Sequence, residues 1–208
     1  IVWAHQDWSF CDETRLDSIM CWIPLCDVDE RNGALGFVQG SHRFFDHLRG
    51  FPVPIAETPV VRHRLRLIPY FRIVPMRAGE ALIFNNRTIH GSLPNDTDHV
   101  RGAISLSLYS ASEPLWSYYI KPNGRVDTLL KYQVTPDFFV DYNNPRLFDL
   151  YRQGKLIDDY PCIGELPYRF ERRFEWEPLE KKLTAAGNVW DPEKAARAEA
   201  FYSITLSP

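Results

Sequence analysis

The chain has 208 residues, of which 45% are apolar and 25% charged, a composition typical of one folded globular domain. Its 24 basic and 27 acidic residues give a net charge of −3, so no overall positive field attracts nucleic acid. No apolar run approaches the roughly 18 residues that span a bilayer, and no signal segment opens the sequence. We therefore expect a cytoplasmic protein that binds neither nucleic acid nor a membrane.

The cysteines and the start of the chain give two further expectations. The four cysteines, at positions 11, 21, 26 and 162, form no C-x-x-C pair. Their spacing fits neither a zinc site nor a disulfide framework, which favours buried thiols in a reducing compartment. The sequence begins at Ile1, without methionine and with residues typical of a strand interior, so we expect a processed or truncated chain.

The first half of the chain is predicted to be mainly β. Residues 1–110 contain short apolar runs separated by turn residues, with no dominant helical periodicity. Residues 19–26 are apolar on both parities, as in a strand covered on both faces, with Pro24 at an edge or bulge. Asn32 and Gly33 tolerate positive φ between two apolar runs, which predicts a hairpin that returns through residues 36–39.

Two later segments of this half border a candidate pocket. Residues 51–75 carry five prolines and a basic, aliphatic stretch, which favours a long excursion out of the sheet in the position of a lid. A short strand is predicted at residues 81–84. Residues 101–109 alternate as a half-buried strand, with a polar face that extends from Arg101 to Ser107 and can line a pocket.

Beyond Ser110 the pattern changes to aromatic-rich loops followed by helices. Asp191 is a favourable N-cap with Pro192 at the first helical position, and an alanine-rich stretch follows. Residues 180–186, followed by Gly187, predict a second helix. The simplest organisation is one domain over residues 1–208, with a core over 1–110 and a loop-rich, helical extension over 111–208.

Candidate metal ligands lie near both ends of the predicted core. His5 and Asp7 are separated by one residue, so on a strand both side chains point to the same side and can bind one metal ion. His90 follows a strand and a turn that can direct its imidazole back to this pair. Two histidines and one carboxylate on one face of Fe(II) leave three positions for a bidentate oxoacid and O₂. Eleven residues after His90, the forked guanidinium of Arg101 suits the far carboxylate of a dicarboxylic cosubstrate.

An ordered set of short motifs accompanies these residues. With this set, the sequence resembles the phytanoyl-CoA dioxygenase-like family of Fe(II)/2-oxoglutarate-dependent oxygenases over residues 3 to about 109. The matching stretches are Trp3-Ala-His-Gln-Asp7, residues 23–29, Asn32-Gly33, Gly40-Ser-His-Arg43, Gly79-Glu80 before residues 82–84, His90-Gly-Ser92, Pro94-Asn95 and Arg101.

The resemblance implies both a fold and a set of site residues. The fold is mainly β, a double-stranded β-helix or cupin-like jelly roll with flanking helices. The family's metal ligands correspond to His5, Asp7 and His90, which implies that these residues bind Fe(II). The resemblance also implies that Arg101 binds the distal carboxylate of 2-oxoglutarate and that the hydroxyl of Ser92 contributes to the same cosubstrate site.

The activity implied by the resemblance is hydroxylation of a small organic molecule at an unactivated C–H bond. O₂ and 2-oxoglutarate are consumed, and succinate and CO₂ are released. Asp7 argues against halogenation, because halogenating relatives carry a small residue in its place, whereas desaturation, ring closure and epimerisation use the same cofactors. Two features depart from the family: Gln39 stands where many relatives have proline, and the N-terminal helices and first core strand are missing. Neither the substrate nor the oligomeric state is predicted.

Two other classes of function are compatible with the same residues. A jelly roll of this kind can be a non-catalytic small-molecule binding protein, or a hydrolase in which His5, Asp7 and His90 hold zinc and activate water. The hydrolase has no need of Arg101. Elemental analysis together with a 2-oxoglutarate difference spectrum distinguishes the three functions.

The remaining histidines and tryptophans are interpreted from their surroundings in the sequence. His99 is the one rival to His90, but it lies two residues from Arg101 on the same predicted strand. His42 is interpreted as a structural turn residue, and His47 and His63 are interpreted as solvated or locally hydrogen-bonded side chains. Trp3 shares strand parity with His5, so it faces the pocket, where core packing and substrate contact are both compatible with its position. By the same parity, Trp8 faces a packing partner of the sheet.

Overall fold

The computed structural model describes residues 2–52, 58–168, 175–203 and 206. Within these residues the strands are Val2–His5 (β1), Ile19–Pro24 (β2), Leu35–Phe37 (β3), Arg72–Ile73 (β4), Leu82–Asn85 (β5), His90–Ser92 (β6), Ala103–Leu108 (β7), Leu115–Ile120 (β8), Thr128–Val134 (β9) and Cys162–Pro167 (β10). The α-helices are Pro59–His63 (α1), Phe138–Asp141 (α2), Asn144–Arg152 (α3), Trp176–Ala185 (α4) and Pro192–Tyr202 (α5). No helix in this described part is long and apolar enough to cross a bilayer.

Two antiparallel sheets form the centre of the fold. The first has the strand order β1-β6-β3-β4 and the second the order β5-β2-β7. The chain passes repeatedly between them, so that β1 pairs with β6 in one sheet and β2 pairs with β7 in the other. Apolar side chains from both sheets and their connections form one cluster that includes Trp22, Leu35 and Met76. The predicted fold class, a mainly β jelly roll with flanking helices, is confirmed, and the described strands do not close into a barrel.

The turn at Asn32 and Gly33 does not join two paired strands. The predicted hairpin is wrong, because β2 lies in the second sheet and β3 in the first. Gly33 has the expected positive φ of 87°, and the backbone N–H of Ala34 donates to the main-chain oxygen of Asp29 across the turn. An Asn-Gly pair indicates a tight turn, but it carries no information about which sheet the returning strand joins.

Helices cover the outer surface of the first sheet but not that of the second. On the first sheet α4 and α5 contribute Leu183 and Ala198 to a buried apolar cluster. On the second sheet Ile83 and Leu106 flank Cys21 of β2, and these two side chains are 62% and 47% exposed. The prediction that the strand at residues 19–26 is covered on both faces is therefore wrong for the face that carries Cys21.

A third sheet, with the order β10-β9-β8, lies beyond residue 110. All six residues of β8 are buried, with Tyr119 in one apolar cluster and Tyr118 in another. The predicted loop-rich, helical extension over residues 111–208 did not include this sheet. Continuous burial of a strand on both faces leaves no apolar and polar alternation to detect in the sequence.

The two predicted C-terminal helices are present. α5 begins after Asp191, whose side chain accepts hydrogen bonds from the backbone N–H groups of Glu193 and Lys194. α4 begins four residues earlier than predicted, at Trp176, and Gly187 follows its end with a φ of 77°. The start of α5 and the end of α4 follow from the capping residues that the sequence indicates. The start of α4 does not, because its N-cap, Glu175, makes no side-chain capping hydrogen bond.

Gly91 permits the close approach of β1 and β6. A Cβ atom at this position would lie 2.5 Å from the main-chain oxygen of Val2 and 3.0 Å from the ring of Phe71. We expect Gly91→Ala to push the strands apart and to lower the free energy of unfolding by about 2 kcal/mol.

Urea denaturation measures this effect, and Gly164→Ala on β10 is the control, because a Cβ atom at Gly164 meets no heavy atom within 4 Å. The control is expected to change the free energy of unfolding by no more than about 0.5 kcal/mol. Equal stability of the Gly91→Ala and Gly164→Ala proteins would show that β1 and β6 are not packed as closely as described.

Candidate metal centre

Pairing of β1 with β6 brings His5 next to His90. The Cα atoms of the two residues are direct partners in the antiparallel ladder, and their ring centroids are 4.2 Å apart. Asp7 lies just beyond the end of β1, where its backbone N–H donates a 3.0 Å hydrogen bond to the main-chain oxygen of Asn86. Residues from opposite ends of the predicted core therefore meet at one edge of the first sheet.

The three side chains point to one shared position. Asp7 Oδ1 lies 3.8 Å from His5 Nε2 and 3.9 Å from His90 Nε2. All the candidate ligand atoms of these residues lie within 4.8 Å of one another. Two atoms that each bind one ion at about 2.1 Å are at most about 4.2 Å apart, and both histidine–aspartate distances meet this limit. The widest separation in the cluster, up to 4.8 Å, must narrow by up to about 0.6 Å when an ion binds.

Hydrogen bonds from the far side of each ring orient both imidazoles. Nδ1 of His5 donates to the main-chain oxygen of Trp3 at 2.8 Å, and Nδ1 of His90 donates to that of Thr88 at 3.0 Å. Because Nδ1 carries the proton in each ring, both Nε2 lone pairs face Asp7 and are available to a metal ion.

Burial adds an electrostatic reason for a cation at this position. Burial, together with nearby His5, holds the pKa of His90 well below its usual range, so this imidazole is neutral and able to act as a ligand at neutral pH. Burial also raises the pKa of Asp7, an effect that His5 and Arg49 oppose in part. Asp7 Oδ2 is buried without a hydrogen-bond partner among the described residues. A bound cation would satisfy this carboxylate. Two imidazoles and one carboxylate are a donor set that fits Fe(II) with open positions.

Arg49, which no sequence motif marks, holds the segment that carries Asp7. Its Nε donates to the main-chain oxygen of Asp7 and its Nη2 to Glu13 Oε1, both at 2.5 Å. Nη1 donates to the main-chain oxygen of His47 at 3.2 Å. The side chains of Arg49 and Glu13 are each only 5% exposed, so the ion pair is buried. Its partners come from distant parts of the sequence, which is why no local pattern indicates it.

Removal of Arg49 is expected to affect both stability and metal binding. Arg49→Met leaves the Glu13 carboxylate buried without its partner, which costs about 3 kcal/mol of the free energy of unfolding. The double variant Arg49→Met, Glu13→Gln removes both charges and is expected to be more stable than Arg49→Met alone. Because Arg49 also fixes the Asp7 segment, we expect both variants to bind Fe(II) about tenfold more weakly. Unchanged Fe(II) affinity in a calorimetric titration of the double variant would mean that Arg49 has no positioning role.

Of the two predicted cosubstrate residues, Ser92 lies on the same strand as His90, whereas Arg101 lies before β7 of the second sheet. Ser92 shares a strand face with His90, is 1% exposed, and accepts a 3.1 Å hydrogen bond at Oγ from the backbone N–H of Val2. Arg101 precedes β7 and is half-buried, with its Cζ 5.4 Å from the centroid of the Trp22 ring. Among the described residues, no ion pair neutralises the guanidinium of Arg101.

A cavity of about 500 Å³ adjoins the metal centre, with His5 and Asp7 in its wall. Trp3 also lines it and is 41% exposed. Trp8 lines the same cavity, and its ring packs on that of Phe51 at a centroid distance of 4.1 Å, so the predicted packing partner is present. The strand ends at His5, and strand parity alone therefore does not indicate that Trp8 also lines the cavity.

The predicted excursion over residues 51–75 contributes to this cavity. Thr58, the N-cap of α1, and Val61 within α1 both lie in the cavity wall. The position of this segment beside a pocket therefore agrees with the sequence pattern. Residues 53–57, which belong to the predicted lid, lie outside the described residues.

The other histidines lie outside the three-residue cluster. His99, the rival to His90, is exposed in the loop before β7. His42 lies in a short 3₁₀ helix, Ser41–Arg43, and His63 packs its ring at 5.3 Å from that of Trp176. His47 is half-buried, and burial together with Arg49 lowers its pKa to about 3.

Comparison with known proteins gives a family match over the first half of the chain. Residues 2–103 match the family model described as phytanoyl-CoA dioxygenase (PhyH). The chain is 27% identical over 121 residues to phytanoyl-CoA dioxygenase domain-containing protein 1 of Danio rerio, which covers 56% of this chain and 42% of that protein. It is 29% identical over 119 residues to a probable alpha-ketoglutarate-dependent hypophosphite dioxygenase of Stutzerimonas stutzeri, which covers 52% of this chain and 39% of that protein. The chain thus spans less than half the length of these two relatives.

Solved structures give more distant likenesses. The non-heme alpha ketoglutarate dependent carbocyclase SnoK has a TM-score of 0.40 and 22% identity, over 55% of this chain and 44% of that one. The epimerase SnoN, in complex with Fe3+, alpha ketoglutarate and nogalamycin RO, has a TM-score of 0.39 and 24% identity, over 54% of this chain and 43% of that one.

Proposed function

Residues 2–103 of this chain belong to the phytanoyl-CoA dioxygenase family, and from this premise we propose that the protein is an Fe(II)/2-oxoglutarate-dependent dioxygenase that hydroxylates a small organic molecule. The observation that carries the proposal is the convergence of His5 Nε2, His90 Nε2 and Asp7 Oδ1, with Asp7 Oδ1 within 3.9 Å of both imidazoles. This arrangement supports Fe(II) as the resident metal, with the opposite side left for 2-oxoglutarate and O₂.

The chain's own residues contribute geometry and charge. When bound, Fe(II) together with 2-oxoglutarate and O₂ supplies the oxidising chemistry, with release of succinate and CO₂. His5 and His90 would hold the metal through Nε2 atoms whose orientation is set by hydrogen bonds from Nδ1 to main-chain oxygens. Asp7 supplies the one negative charge among the three ligands. None of these side chains needs to act as a general acid or base.

Arg101 is proposed to bind the far carboxylate of 2-oxoglutarate. Its guanidinium has no carboxylate partner among the described residues, and its forked donors match a carboxylate in a bidentate geometry. Ser92 is proposed to donate its hydroxyl proton to the same carboxylate, since its Oγ already accepts a hydrogen bond from Val2 and its own hydrogen is available.

The direct test is 2-oxoglutarate turnover by purified protein supplied with Fe(II) and O₂. We expect succinate to form, slowly without the substrate and faster when the substrate is present. Protein that is folded and loaded with Fe(II) but neither binds nor decarboxylates 2-oxoglutarate would support the non-catalytic binding protein. Turnover of an ester with zinc, independent of 2-oxoglutarate, would support the hydrolase.

The type of oxidation is tested by the product. Hydroxylation adds one oxygen atom to the substrate, and mass spectrometry under ¹⁸O₂ is expected to show that atom in the product. Desaturation, ring closure and epimerisation leave no new oxygen in the product, so an unlabelled product of unchanged or lower mass would contradict hydroxylation while the assignment of the cofactors stands.

A further inference from the structure

Resting on the proposed function, we propose that the substrate is an uncharged, ring-containing molecule that binds against the indole rings of Trp3 and Trp8. Both tryptophans line the cavity of about 500 Å³ that has His5 and Asp7 in its wall. A cavity of this size is in the range that encloses a drug-sized ligand. A ligand held there lies directly beside the proposed metal position.

Each indole ring packs against other side chains of the protein. The guanidinium carbon of Arg64 lies 3.5 Å from the centroid of the Trp3 ring, and the ring of Tyr202 at the end of α5 lies 6.1 Å away. The ring of Trp8 packs on that of Phe51 at a centroid distance of 4.1 Å. These contacts fix the two ring planes in advance, which favours a rigid partner with flat faces of its own.

Aliphatic groups complete the apolar part of the wall. Val2, at the start of β1, and Val61, in α1, line the cavity together with the two tryptophans. Gly50 lies in the same wall, where a Cβ atom would meet the main-chain oxygen of Tyr118 at 2.8 Å. A ligand that fills this space therefore buries mainly carbon against carbon.

Among the described lining residues, the charged side chains are Asp7, which belongs to the candidate metal centre, and Arg49. Arg49 is the one Lys or Arg side chain among the described lining residues, and its Nε, Nη1 and Nη2 all donate to protein oxygens. Gln6 donates through Nε2 to the main-chain oxygen of Arg87. A carboxylate or phosphate on the substrate would therefore lose its hydration without gaining an unpaired cation among these lining side chains, which favours an uncharged molecule.

The test uses two fluorescent probes that differ by one charged group. N-phenyl-1-naphthylamine is neutral, and 8-anilinonaphthalene-1-sulfonate has the same ring system with a sulfonate. Titrated into metal-free protein, the neutral probe is expected to bind at least about tenfold more tightly than the sulfonate. Equal binding of the two probes, or tighter binding of the sulfonate, would overturn the proposal.

Two cavity variants and one surface control locate the binding site. Trp8→Ala removes one stacking surface and is expected to weaken neutral-probe binding about tenfold, and Val61→Trp fills the cavity and is expected to weaken it at least as much. Ile83→Ser removes an apolar side chain that is 62% exposed on the second sheet, and it is expected to leave binding unchanged. Binding that is lost in Ile83→Ser but retained in both cavity variants would place the probe on the outer sheet surface and overturn the proposal.

Failure of this inference is distinguishable from failure of the proposed function, because the probe titrations need neither iron nor 2-oxoglutarate. Turnover of 2-oxoglutarate by a protein that shows no preference for the neutral probe would leave the dioxygenase intact and reject this substrate class. The expected probe pattern without turnover would keep the ligand class and reject the dioxygenase. In the active protein, uncharged polycyclic compounds are expected to accelerate succinate release more than their carboxylated analogues, and the reverse order would overturn the inference.

Discussion

Asp7→Ala is expected to abolish 2-oxoglutarate turnover and to weaken Fe(II) binding by more than about a hundredfold, beyond the range typical for residues that only support a metal ligand. Asp7 Oδ1 lies within 3.9 Å of both histidine Nε2 atoms, and the carboxylate is the one negative charge of the three-residue cluster. His90→Ala is expected to have the same effect, because the imidazole is buried and its Nε2 faces the same position.

Matched controls separate ligand loss from general damage. Asp98→Ala and His99→Ala change the same residue types at exposed positions near Arg101, and both variants are expected to bind Fe(II) like the unmodified protein. Fe(II) titration under anaerobic conditions, together with circular dichroism to verify folding, measures both effects. A folded Asp7→Ala protein with normal Fe(II) affinity would remove Asp7 from the metal centre.

Arg101→Ala is expected to weaken 2-oxoglutarate binding by about thirtyfold or more, which corresponds to the loss of a charge-assisted, bidentate hydrogen-bonded pair. Fe(II) affinity is expected to stay unchanged, because Arg101 is not among the three clustered ligands. The Michaelis constant for 2-oxoglutarate should therefore rise more than the maximal turnover rate falls.

A conservative variant and a surface control sharpen this prediction. Arg101→Lys keeps the charge but loses the forked geometry, so its 2-oxoglutarate affinity is expected to lie between those of Arg101→Ala and the unmodified protein. Arg77→Ala, at an exposed turn, is the control for loss of one positive charge. If Arg101→Ala binds 2-oxoglutarate normally, the distal carboxylate is held by another residue.

The three-residue cluster could be predicted from short motifs and from the family resemblance that they carry. An H-x-D spacing at the end of a strand and a histidine after a strand and turn are visible in the sequence, and the structure brings His5, Asp7 and His90 together. The spacing of eleven residues between His90 and Arg101 is likewise visible in the sequence. By contrast, the ladder partnership between His5 and His90 is a long-range pairing that only the folded chain reveals.

The features that were missed depend on tertiary contacts. Arg49 and Glu13 form their buried pair across distant segments, and neither belongs to a recognisable motif. The sequence does not indicate that Trp8 also lines the cavity, because the strand ends at His5 and its parity does not extend to position 8. The third sheet was missed because β8 is buried on both faces and shows no alternation.

The central claim is that three side chains bind one Fe(II) ion that also accepts 2-oxoglutarate. The most direct measurement is visible absorption of metal-free protein titrated anaerobically with Fe(II) and then with 2-oxoglutarate. A metal-to-ligand charge-transfer band is expected only when both are present, to saturate at one iron per chain, and to be lost in Asp7→Ala but kept in Asp98→Ala. The absence of a band from folded, unmodified protein at saturating Fe(II) and 2-oxoglutarate would contradict the claim.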